Sequence, residues 1–260
     1  MKTNNLDDSS QFPPIAVFGA SRGVGRQVVQ QAVQRGQRVI AVARNGASLK
    51  QEFPNLTVVE GDAADPRVVR TALSQVHAVI CTLGAPAFSG SKIRSEGTAA
   101  IIAGMEARGL KRLLVLSLLG VLESRASLPW MIRYLMFPLY LRRPVADHER
   151  QERLLEQSSL DWTAVRPPFL IEGAQTGEYA HGFVDDTRHL ALKISRADAA
   201  HFMLAQVAEQ TYVEKPVGIS YERGRVRVAQ LSLSYESQPI ELSKGEHRAP
   251  ARYSNVSFCA

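Results

Sequence analysis

The 260-residue chain has little cysteine, no long apolar run and a polar start. Its two cysteines, Cys81 and Cys259, are too few for a disulfide framework or a cysteine-rich zinc site. No apolar run reaches the roughly 18 residues that a membrane span needs. Residues 1–14 carry Asp7 and Asp8 where a signal peptide would need an apolar core. These absences predict a cytoplasmic protein with no metal site and no integral membrane segment.

The positive charge of the chain is spread out. The net charge is +6 and the pI is about 9.5, mostly because of arginine. The arginines are scattered over predicted helices and loops, which argues against a nucleic-acid-binding stripe. The excess is compatible with ordinary solvated surface or with a small polyanionic ligand.

Apolar strand-like runs alternate with amphipathic helix-like segments from Ile15 onward. Repeated units of this kind predict right-handed crossovers, and hence an α/β protein with a Rossmann-type, doubly wound parallel sheet. Ligands of such sheets bind beyond the carboxyl ends of the strands. The predicted strands are 15–19, 38–44, 56–60, 78–82, 112–117 and 162–166, and the main helices are 24–36, 66–75 and 92–108.

The pattern predicts a single domain over residues 14–232, preceded by a disordered segment, 1–13. Two further strands are predicted near its end, at 217–221 and 226–231. A polar tail from 233 to 260 has no periodicity and is expected to be poorly ordered.

Residues 124–144 interrupt the alternation with a small apolar insertion. Three interpretations stay open: a helical pair packed on the core, an apolar cap over the substrate pocket, and a weak contact with a membrane surface.

A glycine-rich loop joins the first strand to the first helix. Gly19, Gly23 and Gly25 allow a sharp turn, a close approach to a pyrophosphate and tight helix–strand packing. The helix N-terminus adds unpaired N–H groups and partial positive charge. The loop therefore predicts a dinucleotide-binding site, with Ser21, Arg22 and Val24 as further contacts.

The end of the second strand predicts which dinucleotide binds. Proteins that use NAD commonly place a carboxylate there for the ribose 2′-hydroxyl. This chain has Arg44 instead, and Arg22 within the glycine loop. Two guanidinium groups can clamp a 2′-phosphate, so NADP(H) is predicted over NAD(H). The alternative is that Arg44 is a solvated surface residue.

Two further strand ends supply candidate cofactor contacts. Asp62, followed by Ala63, could meet the adenine amino group or could cap the helix that begins at Pro66. Leu83 and Gly84 follow the fourth strand, where the lack of side-chain bulk would let the cofactor approach the backbone.

These residues are similar to those of the short-chain dehydrogenase/reductase superfamily, and in particular to its atypical NAD(P)H-binding branch, which includes the biliverdin reductase B/flavin reductase family. The resemblance covers about residues 15–210. It is carried by the glycine loop 19–25 and by Val42-Ala-Arg44, Gly61-Asp62, Leu83-Gly84, Ser95-Glu96-Gly97, Ser117, Asp147-His148, Pro167-Pro168, Thr176-Gly177-Glu178-Tyr179 and Ser195-Arg-Ala-Asp-Ala-Ala-His-Phe-Met203.

The resemblance implies a monomeric or weakly dimeric reductase that passes hydride from NADPH to a small planar, conjugated acceptor such as a flavin or quinone. It implies that Ser117 lies near the nicotinamide and that Pro167 and Pro168 border it. Phe169, a further candidate cofactor contact, stands where the family has a histidine after the proline pair, so biliverdin is not the expected substrate.

The Tyr-x-x-x-Lys pair of the main dehydrogenase branch is absent. Tyr134 and Tyr140 are each followed, four residues later, by a proline, which cannot lower a tyrosine pKa as lysine does. Carbonyl reduction through that pair is therefore not expected. Flavins and quinones need chiefly positioning, because their proton can come from solvent.

His148 is the remaining candidate for proton transfer, since its unperturbed pKa is near neutral. The alternative is a helix-start residue that packs on Glu152 or faces solvent. The missing tyrosine, lysine and histidine also keep a second function open: a catalytically quiet NADPH-binding sensor or assembly protein.

Overall fold

The computed structural model describes residues 12–86, 89–182 and 187–224. Within them, eight strands form one mostly parallel sheet and two more form a small parallel pair. The strands are β1 (Ile15–Phe18), β2 (Val39–Ala43), β3 (Thr57–Glu60), β4 (Ala78–Cys81), β5 (Arg112–Leu116), β6 (Asp161–Arg166), β7 (Phe169–Ile171), β8 (Ala180–His181), β9 (Lys193–Ser195) and β10 (Lys215–Ser220).

The helices cover both faces of the sheet. Residues of α1 and α6 pack with one set of strand side chains, and residues of α3, α4 and α5 pack with the other. β1 shows the alternation: Ile15 and Val17 face the first layer, while Ala16 and Phe18 face the second. The helices are α1 (Gly23–Gln34), α2 (Ala47–Glu52), α3 (Pro66–Ala72), α4 (Ile93–Glu106), α5 (Arg142–Glu156) and α6 (Arg196–Ala205).

The strand order of the large sheet is β3-β2-β1-β4-β5-β6-β10-β8. From β1 the chain winds outward through β2 and β3, then returns to add β4 on the other side of β1. This reversal opens a crevice at the carboxyl ends of β1 and β4, where doubly wound sheets bind their ligands. β8, which pairs antiparallel with β10, closes one edge.

The predicted fold class is confirmed, and the six predicted strands correspond to β1 to β6. The strand predicted at 217–221 is β10, whereas the one predicted at 226–231, the tail 233–260 and most of 1–13 lie outside the described residues. One helix boundary was wrong. α5 begins at Arg142, so His148 lies in the second turn of a helix and not at its start.

The insertion is helical, as one interpretation predicted. It forms a 3₁₀ helix, Leu122–Ser127, and a π-helix, Ile132–Leu141, that runs directly into α5. Leu128, Leu141 and Val145 pack on Leu118 and Leu119 of the loop after β5. In the part of the chain that the structure describes, no helix is both long and apolar enough to cross a membrane.

Candidate functional site

A cleft of about 480 Å³ lies at the carboxyl ends of β1, β2, β4 and β5. Its volume falls within the range typical of small-molecule and cofactor sites. Its position is the one that the strand order predicts. The lining residues are Gly19, Ser21, Arg22, Gly23, Val24, Val42, Ala43, Arg44, Gly61, Asp62, Ala63, Thr82, Leu83, Gly84, Ala85, Pro86, Ile93, Arg94, Leu116, Ser117, His148, Leu170, Glu172 and Arg196.

The glycine loop is packed too tightly for larger residues. Gly19 has φ +83°, and a Cβ there would lie 2.6 Å from the Thr82 carbonyl oxygen. A Cβ on Gly25 would overlap the Gly19 carbonyl oxygen and Oγ1 of Thr82. Gly25 therefore acts beneath the loop, although it does not itself line the cleft.

The N-terminus of α1 presents its backbone donors to the cleft. Arg22 occupies the N-cap position without a capping side-chain hydrogen bond, and the first turn contains no acidic residue. The first N–H groups of a helix have no partner within the helix, and together with the helix dipole they attract anions. This end of α1 therefore suits a pyrophosphate.

Thr82 is a site residue that the sequence analysis missed. Its Oγ1 donates to the Phe18 carbonyl oxygen at 2.9 Å, and its backbone N–H donates to the same oxygen at 2.9 Å. It thereby ties the end of β4 to the start of the glycine loop. A hydroxyl residue directly after a buried strand was the available signal.

The two predicted guanidinium groups come from the glycine loop and from the end of β2. Arg22 and Arg44 are both exposed and both line the cleft. Asp62 lines it too, and its Oδ1 accepts from the N–H of Ala64 at 2.9 Å. The helix cap is a different residue: Asp65 accepts from the Arg67 N–H at 2.8 Å at the start of α3. Asp62 is therefore not the cap of that helix.

Ser117 lies in the cleft at the end of β5, as predicted. Its N–H donates to the Val165 carbonyl oxygen at 2.7 Å, which continues the β5–β6 ladder. Its hydroxyl donates to the buried Glu152 carboxylate. Glu152 in turn pairs with Arg166, with Nη2 and Oε2 2.5 Å apart. The hydroxyl proton of Ser117 is thus directed away from the cleft and into a buried ion pair.

His148 lines the same end of the cleft but is not tuned for proton transfer near neutral pH. Burial, followed by the positive charge of Arg94, lowers the pKa of His148 to about 3. Its Nδ1 lies 3.2 Å from Oε1 of Gln151, so Glu152 is not its partner. The imidazole is therefore neutral at physiological pH, which corrects the expectation of a well-tuned proton donor.

Arg94 is a buried cation that lines the cleft. Its guanidinium donates to the Ala85 carbonyl oxygen at 3.3 Å and lies 3.8 Å from Oδ2 of Asp147. Asp147 also accepts from the N–H groups of Arg94 and Ser95, and therefore stabilises the start of α4. Arg94 directly precedes the Ser95-Glu96-Gly97 segment, but nothing in its local sequence predicted that it would reach the cleft.

Arg196 and Glu172 form a further pair that the sequence analysis missed. Arg196 Nη1 lies 2.5 Å from Oε1 of Glu172, and both residues line the cleft. The Arg196 side chain reaches within 3.8 Å of the position that a Cβ would take on Gly23. This cation therefore lies beside the glycine loop, at the N-terminus of α6.

Besides Gly25, two predicted contacts do not line the cleft. Pro167 accepts from the N–H of Leu119 at 2.9 Å, and Phe169 pairs with Lys193 in the small β7–β9 sheet. Because neighbouring residues of a strand face opposite sides, Leu170 points into the cleft where Phe169 does not. None of the described residues of the 124–144 insertion lines the cleft either, so a cap over it is not supported.

A family model described as NAD(P)H-binding matches residues 19–210. The photosystem II assembly factor Ycf39 of Synechocystis is 27% identical over 178 residues, which cover 66% of this chain and 49% of that protein. The uncharacterized protein YwnB of Bacillus subtilis is 26% identical over 172 residues, 65% of this chain and 78% of its own. The chain thus spans only about half of the Synechocystis factor.

Two solved structures share the fold. ChuY, described as an anaerobillin reductase from Escherichia coli O157:H7, superposes with a TM-score of 0.66 at 23% identity, covering 81% of this chain and 98% of its own. A short-chain dehydrogenase/reductase from Veillonella parvula, solved in complex with NADP, gives a TM-score of 0.69 at 16% identity, with 82% and 96% covered. The predicted cofactor class, a nicotinamide dinucleotide, is confirmed by the family match.

Proposed function

The chain belongs to the NAD(P)H-binding family, and on that premise we propose that it is an NADPH-dependent reductase acting on a planar conjugated acceptor, a flavin or a quinone. The observation that carries this proposal is the combination of residues that line the cleft. Arg22 in the glycine loop and Arg44 after β2 are exposed cations, and Leu116 of β5 and Leu170 of β7 add apolar side chains.

The donor set of the cleft fits a phosphorylated dinucleotide. The uncapped start of α1 suits the pyrophosphate, and Arg22 with Arg44 suits a 2′-phosphate. The two carboxylates that line the cleft already have partners within the described residues. Asp62 accepts from its own turn, and Glu172 pairs with Arg196. Asp62 keeps its negative charge, but it follows β3, and the residue that follows β2 in the cleft is Arg44.

When bound, NADPH would supply a hydride, so the protein's own task is to position the acceptor and to exclude water. Leu83, Leu116 and Leu170 add apolar side chains to the lining of the cleft. The Ser117 proton is committed to Glu152, and His148 is neutral. An acceptor that takes its proton from water suits this arrangement better than a ketone, which needs a proton from the enzyme.

The cofactor preference is tested by titrating NADPH and NADH into the wild type, Arg22→Ala and Arg44→Ala. A hydrogen bond to a charged group contributes about 1.5–3 kcal/mol, so each variant should bind NADPH about 10- to 150-fold more weakly. NADH affinity should stay the same. Arg67→Ala, which removes an exposed arginine on α3, is the matched control. Equal wild-type affinities for the two cofactors would contradict the assignment.

The reductase activity is tested by following NADPH oxidation with riboflavin, FMN, menadione and a simple ketone. We expect turnover with the flavins or quinones and none with the ketone. Turnover with the ketone alone would contradict the proposal, because it would require a proton donor in the cleft.

A second candidate is a catalytically quiet NADPH-binding protein that acts in assembly. The commitment of the Ser117 hydroxyl to Glu152 favours it, and so does the similarity to a protein named as an assembly factor. Saturable NADPH binding without oxidation by any acceptor would favour this candidate over the reductase.

A further inference from the structure

Six large apolar side chains stand in solvent on the insertion. Each is more than half exposed, and Trp130 is the most exposed at 73%. We call this surface the 130–140 face. Its members are Trp130, Met131, Tyr134, Leu135, Leu139 and Tyr140.

The 130–140 face belongs to a segment that is held firmly to the domain. Leu128 and Leu141, at its two ends, are buried against Leu118 and Leu119. The π-helix continues without a break into α5. Exposed aromatic and leucine side chains on an anchored helix indicate an interaction surface, because soluble monomers rarely expose large apolar side chains in clusters.

The charged side chains within the insertion all have one sign. Between Ser124 and Ala146 the sequence has four arginines and no acidic residue. The Arg133 guanidinium lies 5.1 Å from the centre of the exposed Tyr134 ring. Arg142 and Arg143 are exposed at the end of the π-helix, and no described carboxylate pairs with them.

The exposed apolar side chains and the arginines together indicate what kind of partner binds the face. Two copies of the chain meeting through this face would bring their arginines together and repel each other. Tryptophan and tyrosine beside arginine, on a helix lying flat, match what the interface of a bilayer with anionic lipids binds. We propose that the 130–140 face docks the protein onto the surface of an anionic membrane.

Docking would hold the cleft close to the bilayer. Arg142 and His148 lie on the same helix, six residues apart, which is about 9 Å along its axis at 1.5 Å per residue. His148 lines the cleft. The proposal stands independently of the catalytic one, since it concerns the surface alone.

The chain offers a direct probe, because it has two tryptophans and only Trp130 is exposed. The full-length protein is titrated with phosphatidylglycerol vesicles and with phosphatidylcholine vesicles, and tryptophan emission is recorded. We expect a blue shift with the anionic vesicles only. Trp130→Phe should show no shift, since Trp162 is buried in the core.

The charge requirement is tested with Arg142→Gln/Arg143→Gln in a vesicle sedimentation assay. Each arginine near an anionic surface raises the affinity for it about fivefold, so losing two should weaken binding about 30-fold. Arg67→Gln/Arg70→Gln removes the same charge from exposed positions on α3, and should weaken it at most threefold. Leu135→Ser/Leu139→Ser should abolish the blue shift.

Three results would overturn the proposal. One is the absence of a blue shift with anionic vesicles. That result would mean that something other than an anionic membrane covers the face. Another is an equal loss of binding in the α3 control, which would indicate attraction by net charge alone. The third is a dimer in analytical ultracentrifugation that Leu135→Ser/Leu139→Ser dissociates, since the face would then bind a second copy.

Discussion

The ion pair between Glu152 and Arg166 supports Ser117 from beneath the cleft, and it can be broken with a change of almost no volume. Nη2 and Oε2 are 2.5 Å apart, with side chains only 1% and 2% exposed. Burial alone would lower the pKa of Arg166, but the hydrogen bonds that it donates to Glu152 and Glu123 raise the pKa above its ordinary value. Arg166 therefore keeps its charge in the folded protein. Glu152→Gln would leave that charge without its buried partner.

The expected cost follows from the burial of both groups. Removing one partner of a buried ion pair destabilises a protein by about 3–5 kcal/mol. Glutamine keeps one oxygen that can accept from the guanidinium, and Glu123 stays in contact with Arg166 Nη1 at 2.5 Å. We therefore expect the lower end, about 3 kcal/mol.

Glu123→Gln is the matched control, because it makes the same chemical change on the other side of Arg166. The Glu123 side chain is 53% exposed, so water already screens its charge. Its loss should cost less than about 1 kcal/mol.

The free energies of unfolding are measured by urea titration followed by circular dichroism, with the slope on urea checked for constancy. A Glu152→Gln variant within about 1 kcal/mol of Glu123→Gln would refute the reasoning. It would mean that the Arg166 charge is solvated or lost when its partner is removed.

Three further predictions concern the cleft. Gly25→Ala should weaken NADPH binding at least tenfold in calorimetry, because its Cβ would overlap Gly19 and Thr82; unchanged affinity would contradict the packing of the loop. His148 has its pKa lowered to about 3 in the fold, so between that pH and about 6.5 the unfolded chain binds the extra proton. The free energy of unfolding should therefore fall by about 2 kcal/mol from pH 7 to pH 5 because of His148. In urea titrations, His148→Gln should lack this part of the fall; the same pH dependence in the variant and the wild type would contradict the prediction. Ser117→Ala should change the rate of hydride transfer by less than about threefold, since a proton donor would contribute a hundredfold or more; a loss of that size in stopped-flow kinetics would make Ser117 the donor.

The strands of this protein were predictable because their signal is local. Runs such as Ile15–Phe18 and Ala78–Cys81 are apolar at every position, as strands buried on both faces must be. The glycine loop was predictable for the same reason, since a sharp turn between a buried strand and an amphipathic helix leaves its mark within a few residues. Helix boundaries were harder to predict. α5 begins six residues before His148, because it directly follows a π-helix that no sequence periodicity predicts.

The hydrogen bonds and ion pairs of the charged side chains at the site were not predictable, because the partners are distant in sequence. Glu152 meets Ser117 across 35 residues, and Asp147 meets Ser95 across 52. Whether a histidine titrates near neutral pH depends on such neighbours and on burial. The sequence shows His148 with its ordinary chemistry, whereas the fold buries it beside Arg94 and keeps it neutral.

The amino-acid sequence by itself determined the doubly wound sheet, the glycine loop and the positions of Arg22 and Arg44, since each depends on a short segment and on the geometry of parallel strands. The tertiary structure alone decided that Leu170 and not Phe169 faces the cleft, that Ser117 donates away from it, and that Trp130 and its neighbours stand in solvent. The physical reason is that burial and charge pairing are properties of the space between elements, which only the packing of the whole chain defines.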